Sequence, residues 1–271
     1  MNTVTAVTRK PIFWAVAASL CIASVAFTHK YFSKAMPVIS LSISMDRAQA
    51  VAKAEELSTR HAWLPAESKS AVMFESDTFL QFFVELECGG KQAFEEILSS
   101  HIFEPYVWHV RRFKEKVTEE TNVFFTPEGS PYGFIQKLPE TFCLPTLTVE
   151  DARTLAQHEA RTYWNVSFDP YTEIEVSKDE KPCGRVDHTF VYQRNDAQLG
   201  KEGFYRLKIV VSGNKVTQVS RFVFIPETFK RRYEQMRSSN SVVSTCGRIG
   251  LMFLYIILGC LGGGLYFFRK R

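Results

Sequence analysis

The sequence predicts an α+β protein in which two tandem helix-plus-antiparallel-sheet units lie between two transmembrane helices. Three observations support this fold class. Two long apolar runs stand near the two ends of the chain. Each half of the middle region has the pattern of an amphipathic helix followed by several strands. The tetrapeptide Pro-Glu-Thr-Phe occurs at 139–142 and again at 226–229, each time directly after a strand-like segment.

The composition limits the classes of protein to consider. The 271 residues are 45% hydrophobic and 23% charged, which is enough for one or two domains with cores. The formal net charge is +4, and Lys and Arg are spread along the chain, so we expect no nucleic-acid partner. Cys88, Cys143 and Cys183 in the middle region match no zinc spacing. We expect unpaired, half-buried thiols, with one disulfide among these three as the alternative.

The first apolar run predicts a transmembrane anchor at residues 11–28. Its core, Pro11–Phe27, carries no charge and follows Arg9 and Lys10. A cleaved signal peptide is the alternative, with the small residues at 24–26 as its cleavage site. The length of the run and Trp14 near its start, where an interfacial aromatic residue is expected, favour an uncleaved anchor.

The second apolar run predicts a transmembrane helix at residues 248–268, because the twenty residues Ile249–Phe268 carry no charge and can span the hydrocarbon core as a helix. Basic residues end the chain at 269–271. The positive-inside rule then places residues 1–10 and 269–271 in the cytoplasm. The lipid bilayer is the expected partner, and the expected location is a bacterial inner membrane with the middle region outside the cytoplasm. Basic residues on the other side of both runs leave the orientation open.

The first unit is predicted at residues 38–143. Val38–Ser44 has the alternation of a strand, and Asp46 opens a helix. The apolar stripe of that helix is Ala50, Val51, Ala54, Leu57 and His61. The strands expected after it are 78–87, 106–113, 122–126 and 132–138, with an extra helix starting near Lys91.

The second unit is predicted at residues 144–229. Thr148 and Asp151 resemble a capping box at the start of its helix. The helix stripe is Ala152, Leu155, Ala156 and Tyr163. The strands expected after it are 171–176, 185–193, 204–212 and 215–224, the last two joined by a turn at Gly213-Asn214. Pro-Glu-Thr-Phe closes the last strand of each unit, and residues 230–247 form a juxtamembrane linker.

The search for chemistry predicts no catalytic, cofactor-binding or metal-binding residue, and no cofactor. No pair of the six histidines has a helical ligand spacing, and no phosphate-binding or nucleophile-elbow motif occurs. Asp187 and His188 follow each other on a strand, so they point to opposite faces and do not form a cooperating dyad. Cys88-Gly89-Gly90-Lys91 is interpreted as a strand-to-helix turn, with an anion-binding site at the start of the helix as the alternative.

Several segments, in their order along the chain, nevertheless resemble a known family. They are "SMDRAQAVAKAEEL", "FVELECGGKQAF", "YVWHVRRF", "TPEGSPYGFIQKLPE", "GRVDHTFVYQR", "YRLKIVVSG" and "RRYEQMRSSN". Together they resemble the N-terminal extracytoplasmic region of bacterial CPBP intramembrane metalloproteases of the CAAX-protease type. The tandem units are also similar to PepSY-type modules, so the predicted fold is PepSY-like.

This resemblance implies a function without carrying over a catalytic residue. The family's protease domain has EExxxR and FxxxH motifs. Here Glu119-Glu120 is followed by Phe124 where the arginine should be, and Phe103 stands six residues before His109. The resemblance therefore implies a membrane-anchored, non-catalytic sensor or binding module associated with a CPBP-type protease, with that protease or a peptide ligand as partner. The alternative is the N-terminal fragment of a CPBP intramembrane metalloendopeptidase.

Overall fold

The computed structural model describes residues 11–35, 41–63 and 68–269. The helices in these residues are α1 (Pro11–Ala35), α2 (Arg47–Arg60), α3 (Thr78–Glu87), α4 (Gly90–Ser100), α5 (Val149–Trp164) and α6 (Glu227–Arg269). The strands are β1 (Lys69–Ser76), β2 (Tyr106–Phe113), β3 (Glu120–Phe125), β4 (Pro131–Lys137), β5 (Tyr171–Glu180), β6 (Val186–Leu199), β7 (Gly203–Ser212) and β8 (Lys215–Phe224).

All eight strands belong to one antiparallel sheet with the order β1-β2-β3-β4-β8-β7-β6-β5. Each half of the middle region contributes a helix and a four-stranded meander, which confirms the predicted α+β class. The last strands of the two halves join them, because β4 pairs with β8 through Phe134 opposite Val219 and Ile135 opposite Gln218. We call this β4–β8 junction the seam.

Helices α2 and α5 pack on one face of the sheet. Asp46 caps α2 by accepting a hydrogen bond from the Gln49 N–H at 2.8 Å, and the Gln49 side chain accepts from the Asp46 N–H at 2.9 Å. Thr148 caps α5 by accepting from the Asp151 N–H at 3.2 Å. The buried stripes consist largely of alanine: Ala50 and Ala54 in α2, and Ala152, Ala156 and Ala160 in α5. Such small side chains let both helices lie close to the sheet.

Three stacked rings join the halves inside the core. Phe134 on β4 stacks on Trp63, which follows α2, with ring centroids 4.6 Å apart. Its ring also stacks on Trp164 at the end of α5, with centroids 4.7 Å apart. All three side chains are at most 2% exposed, so each half supplies one indole to the same aromatic stack. Tyr163, predicted for the buried stripe of α5, is exposed, and Trp164 takes its place.

The strand predicted at 78–87 is wrong, because this segment forms helix α3. Its apolar residues fit both a two-residue and a helical period. Asp77 favours the helix, because its side chain caps the first turn by accepting a hydrogen bond from the Leu80 N–H at 2.9 Å. Leu80, Phe83 and Val84 are then buried on one side. The extra helix near Lys91 is confirmed as α4.

The first strand of the sheet was not predicted. β1 takes the edge position that the prediction gave to 78–87, and it pairs with β2 from Lys69 opposite Phe113 to Ser76 opposite Tyr106. The strand predicted at Val38–Ser44 is wrong for residues 41–44, which form no strand, and its residues 38–40 lie outside the described residues. The other predicted strands correspond to β2–β8, of which β5 and β6 extend several residues further than expected.

The two Pro-Glu-Thr-Phe segments share a local geometry and then diverge. The Phe142 N–H donates to the Pro139 carbonyl at 3.0 Å, and the Phe229 N–H donates to the Pro226 carbonyl at 3.1 Å. The first segment remains an isolated turn with Phe142 exposed. The second continues into α6 with Phe229 buried. Residues 230–247, predicted as a linker, are part of this continuous helix.

Helices α1 and α6 are both long and apolar enough to cross a membrane. The candidate spans are Pro11–Phe32 and Glu227–Cys260, and the apolar stretch of 18 residues in each has no residue buried against the rest of the protein. A signal sequence near the N-terminus has the same properties as α1. The predicted cytoplasmic residues 1–10 and 270–271 lie outside the described residues.

Candidate functional site

A cavity of about 340 Å³ lies at the seam, and Val107, Phe124 and Ile135 in its lining point away from α2 and α5. We call it the seam cavity. Strands from both halves and the loop before β2 supply its lining: Glu75, Ser76, Asp77, Phe103, Glu104, Pro105, Val107, Phe124, Tyr132, Gly133, Ile135, Ser220 and Arg221.

The apolar part of the seam cavity follows from strand alternation. Val107, Phe124 and Ile135 lie on neighbouring strands and share one face, whereas Val110, Val123 and Phe134 on the same strands face the core. Gly133 allows β4 to approach β8 closely, because a Cβ at this position would lie 2.5 Å from the Val219 carbonyl oxygen.

Three carboxyl groups line the seam cavity. Burial raises the pKa of Asp77, an effect that its backbone hydrogen bond from Leu80 partly offsets. Burial also raises the pKa of Glu104, while a hydrogen bond to His101 at 3.0 Å acts in the opposite direction. Glu75 contacts the Nδ1 atom of His109 at 2.7 Å. The cavity therefore holds carboxyl groups in surroundings that make ionisation of Asp77 and Glu104 unfavourable.

His109 holds the side chain of Glu75 in position at the seam cavity. Its Nε2 atom lies 2.8 Å from Asn122 Oδ1, and its ring stacks on Phe124 with centroids 4.7 Å apart. Both ring nitrogens are thus engaged by side chains of the same sheet face. This arrangement orients Glu75 and Phe124 before any ligand enters.

Arg221, Tyr132 and Glu104 form one wall of the seam cavity. The Arg221 guanidinium lies 4.8 Å from the centre of the Tyr132 ring and donates to the Tyr132 carbonyl. The Tyr132 hydroxyl accepts a hydrogen bond from the Glu104 N–H at 3.0 Å, and burial raises the pKa of this phenol, so it stays neutral. The same three residues line a second cavity of about 290 Å³ beside the C-terminal end of α5.

The charges of the seam cavity favour a cationic partner. Three carboxyl groups face one guanidinium, and the Arg221 N–H groups already donate to the carbonyls of Tyr132 and Trp164. Among the residues that the structure describes, no group of three or more His, Cys, Asp or Glu is placed to hold a metal ion. The arrangement can therefore bind a positive group that is attached to an apolar body.

A larger cavity of about 520 Å³ lies at the start of α6. It is lined by charged groups of both signs, including the ion pair between Glu87 and Arg232, and by the Cys88 thiol, whose pKa is raised by burial. The turn predicted at 88–91 leads into α4, with Gly89 at a φ of 119°, but it follows helix α3 and not the strand that was expected.

No family model matches the chain, and no curated protein matches it. Among solved structures, the chain is similar to the C-terminal domain of Bacillus megaterium YpeB, with 13% sequence identity and a TM-score of 0.33 over 65% of this chain and 68% of that chain. A likeness with so low a TM-score carries no argument about function. These findings give no support to the resemblance to the CPBP family.

The sequence predicted no site residue, and the seam cavity was therefore missed entirely. Its three carboxyl groups come from β1, the start of α3 and the loop before β2, so only the fold brings them together. Asp187 and His188 are not combined into a dyad. Asp187 pairs with Arg185 at 2.8 Å, whereas His188 Nε2 lies 3.1 Å from the Leu147 carbonyl.

Proposed function

We propose that the chain is a membrane-anchored, non-catalytic binding module of PepSY-like architecture whose sheet lies outside the cytoplasm. Its ligand carries a cationic group on an apolar body, such as a lysine or arginine side chain in a peptide. The observation that carries this proposal is the seam cavity, in which carboxyl groups stand beside Phe124 and Ile135.

The energetics support a cationic rather than an anionic ligand. A desolvated carboxyl group gains most from an added positive partner, because that partner restores the interactions lost with water. Glu104 is such a group, since burial is the main cause of its raised pKa. An anionic ligand would meet three carboxyl groups and a guanidinium that already has partners, so it would be repelled.

Isothermal titration of the full chain in detergent tests the proposal with three capped dipeptides. Phenylalanine is joined to lysine, to norleucine or to glutamate, so that only the charge of the second side chain changes. We expect the lysine peptide to bind about tenfold more tightly than the norleucine peptide, because a charge-assisted hydrogen bond is gained. The glutamate peptide should bind most weakly.

Two tryptophan variants locate the binding site. Val107→Trp fills the seam cavity and should abolish binding, whereas Thr189→Trp places the same side chain on the same sheet face of the other half and should leave binding unchanged. Glu104→Gln should reduce the preference for lysine over norleucine. Equal affinities for the three peptides, or unchanged binding by Val107→Trp, would contradict the proposed cavity function.

Labelling tests the proposed membrane placement independently. Glu180 is exposed on the edge strand β5. In a cysteine-free chain, Glu180→Cys should react in intact cells with a membrane-impermeant maleimide. Reaction that requires permeabilisation would place the sheet in the cytoplasm.

An intramembrane protease is not part of this proposal. That partner was implied only by the CPBP resemblance, which the family and curated-protein comparisons do not support. The peptide ligand, in contrast, is argued from the seam cavity alone.

A further inference from the structure

The segment that joins the two halves, residues 138–148, is held against the β5–β6 turn. The side chain of Arg185 in this turn is 2% exposed, and its Nη1 donates to the carbonyls of Pro139 at 3.1 Å and Phe142 at 2.5 Å. Asp187 balances the buried charge at 2.8 Å from the Arg185 Nε. The Thr146 hydroxyl adds a hydrogen bond to the Gly184 carbonyl at 3.1 Å. The joining segment is therefore fixed to the turn by several charge-assisted and neutral bonds.

These bonds flank two cysteines. Cys143 directly follows Phe142, and Cys183 directly precedes Gly184. Both thiols are free, Cys143 is exposed, and its Sγ donates a hydrogen bond to the Thr141 carbonyl at 3.4 Å. Cys183 lies in a tight turn, which is closed by a 2.8 Å hydrogen bond from the Gly184 N–H to the Lys181 carbonyl. The bonds from Arg185 to the Phe142 carbonyl and from Thr146 to the Gly184 carbonyl therefore hold the backbone next to each cysteine against the other segment.

We propose that Cys143 and Cys183 form a disulfide bond, by exchange with a disulfide oxidant, that ties the joining segment to the β5–β6 turn. The bond would close a covalent loop around α5 and β5. This modification site goes beyond the proposed binding function, and its test in vitro does not depend on that function. An oxidising compartment outside the cytoplasm favours such bonds.

The reaction balances as two thiol–disulfide exchanges. The Cys183 thiolate attacks one sulfur of the oxidant R–S–S–R, so that a mixed disulfide forms and R–S⁻ leaves. The Cys143 thiolate then attacks the Cys183 sulfur, the protein disulfide forms, and the second R–S⁻ leaves. The two thiol protons end on the two R–SH products, and the oxidant gains the two electrons that the cysteines lose.

Cys183 is suited to the first attack. The neighbouring Cys143 thiol and the Arg185 backbone lower the pKa of the Cys183 thiol. Cys88 is a matched comparison, because burial beside Gly200 raises the pKa of its thiol and no cysteine is placed beside it in the described part of the chain.

Peptide mapping of the full chain in detergent tests the inference. The reduced protein is equilibrated with a mixture of reduced and oxidised glutathione, quenched with acid, alkylated and digested without reductant. We expect one cross-linked peptide that joins Cys143 to Cys183, while Cys88 is alkylated. The cross-linked form should also unfold at a temperature about 5–10 °C higher than the reduced form.

Variants separate the proposed pair from random oxidation. Cys88→Ser should leave the cross-link unchanged, and Cys143→Ser should trap glutathione on Cys183. Thr146→Val, which removes one bond between the segments without touching the buried charge, should lower the equilibrium constant for cross-linking several-fold. Separate alkylation of Cys143 and Cys183 at every glutathione ratio, or cross-links to Cys88 at equal yield, would overturn the inference.

Discussion

The guanidinium of Arg221 donates a hydrogen bond to the Trp164 carbonyl at 2.9 Å, at the C-terminal end of α5. The same group donates to the Tyr132 carbonyl on β4, so one side chain on β8 connects a helix of the second half with a strand of the first. A cation at this helix end also interacts favourably with the helix dipole.

Replacement of Arg221 should weaken the seam. We expect Arg221→Met to lower the free energy of unfolding by about 2–4 kcal/mol, because two part-buried carbonyls lose their donor. Arg206→Met is the matched control, since Arg206 lies on the neighbouring strand, also stands over a ring (Phe224, 4.0 Å to its centre), and donates its hydrogen bonds to the Gln193 side chain rather than to a backbone carbonyl. Urea denaturation measures both variants. Equal losses for the two would show that Arg221 has no special role at the seam.

A methyl group at Gly133 should disrupt the β4–β8 pairing. The added Cβ would lie 2.5 Å from the Val219 carbonyl oxygen, and two paired backbones cannot separate without losing their hydrogen bonds. We expect Gly133→Ala to cost about 3 kcal/mol and to speed amide exchange in β4 and β8. Gly247→Ala in α6 has open space around its Cβ and should be neutral or stabilising by up to about 1 kcal/mol. Unchanged exchange in β4 would argue against this close approach.

Asp77 should make stability depend on pH in an unusual direction. Burial raises its pKa in the folded state above 3.8, so the folded state binds the proton more tightly than the unfolded state does. Its stabilising contribution is complete below pH 3.8 and is lost as the pH rises through the folded pKa. Asp77→Asn keeps an acceptor for the Leu80 N–H and removes the charge.

We therefore expect Asp77→Asn to be at least as stable as the parent at pH 7. Asp77→Ala should lose about 1 kcal/mol, because the cap of α3 is removed. Denaturant titrations from pH 3 to 7 compare the three proteins. An Asn variant that is less stable than the parent only at neutral pH would mean that the charged carboxylate is the stabilising form.

Glu120 should make stability depend on pH in the direction opposite to that of Asp77. Hydrogen bonds from Lys137 and, more weakly, from Arg111 lower its pKa below 4.5, so its contribution is present above pH 4.5 and is lost as the pH falls through the folded pKa. Both basic partners are more than half exposed, so a double-mutant cycle with Lys137→Met should give only about 0.5 kcal/mol, reduced by salt. A coupling energy that does not respond to salt would contradict this screened ion pair.

The sequence predicted local elements better than their arrangement. The second half was predicted strand for strand, because alternation, caps and the Gly213-Asn214 turn agree there. In the first half, the apolar residues of 78–87 fit both the two-residue period of a strand and the period of a helix. Asp77, which caps the helix, is the residue that distinguishes the two. The apolar residues of β1, Ala71–Phe74, follow one another without the alternation of a half-buried strand, and the strand is defined by its pairing with β2.

The candidate site depends on pairings between distant residues. Ile135 and Gln218 are neighbours only because the two halves share one sheet, and no local pattern encodes that contact. Glu75 and Glu104 likewise meet through the β1–β2 pairing and the loop that precedes β2. The pKa of Glu104 is raised by burial, which the order of residues alone does not specify.

On the proposed membrane placement, the continuity of α6 sets the height of the sheet above the bilayer. Its first two turns pack on α3 through Tyr233, which contacts Phe79 and Phe82. From Glu234 to Arg248 the helix is exposed and rises at 1.5 Å per residue, a length of about 20 Å. With the apolar run after Arg248 inside the hydrocarbon core, this helical segment would separate the sheet from the lipid headgroups. A molecule that reaches the seam cavity would then approach from the aqueous phase.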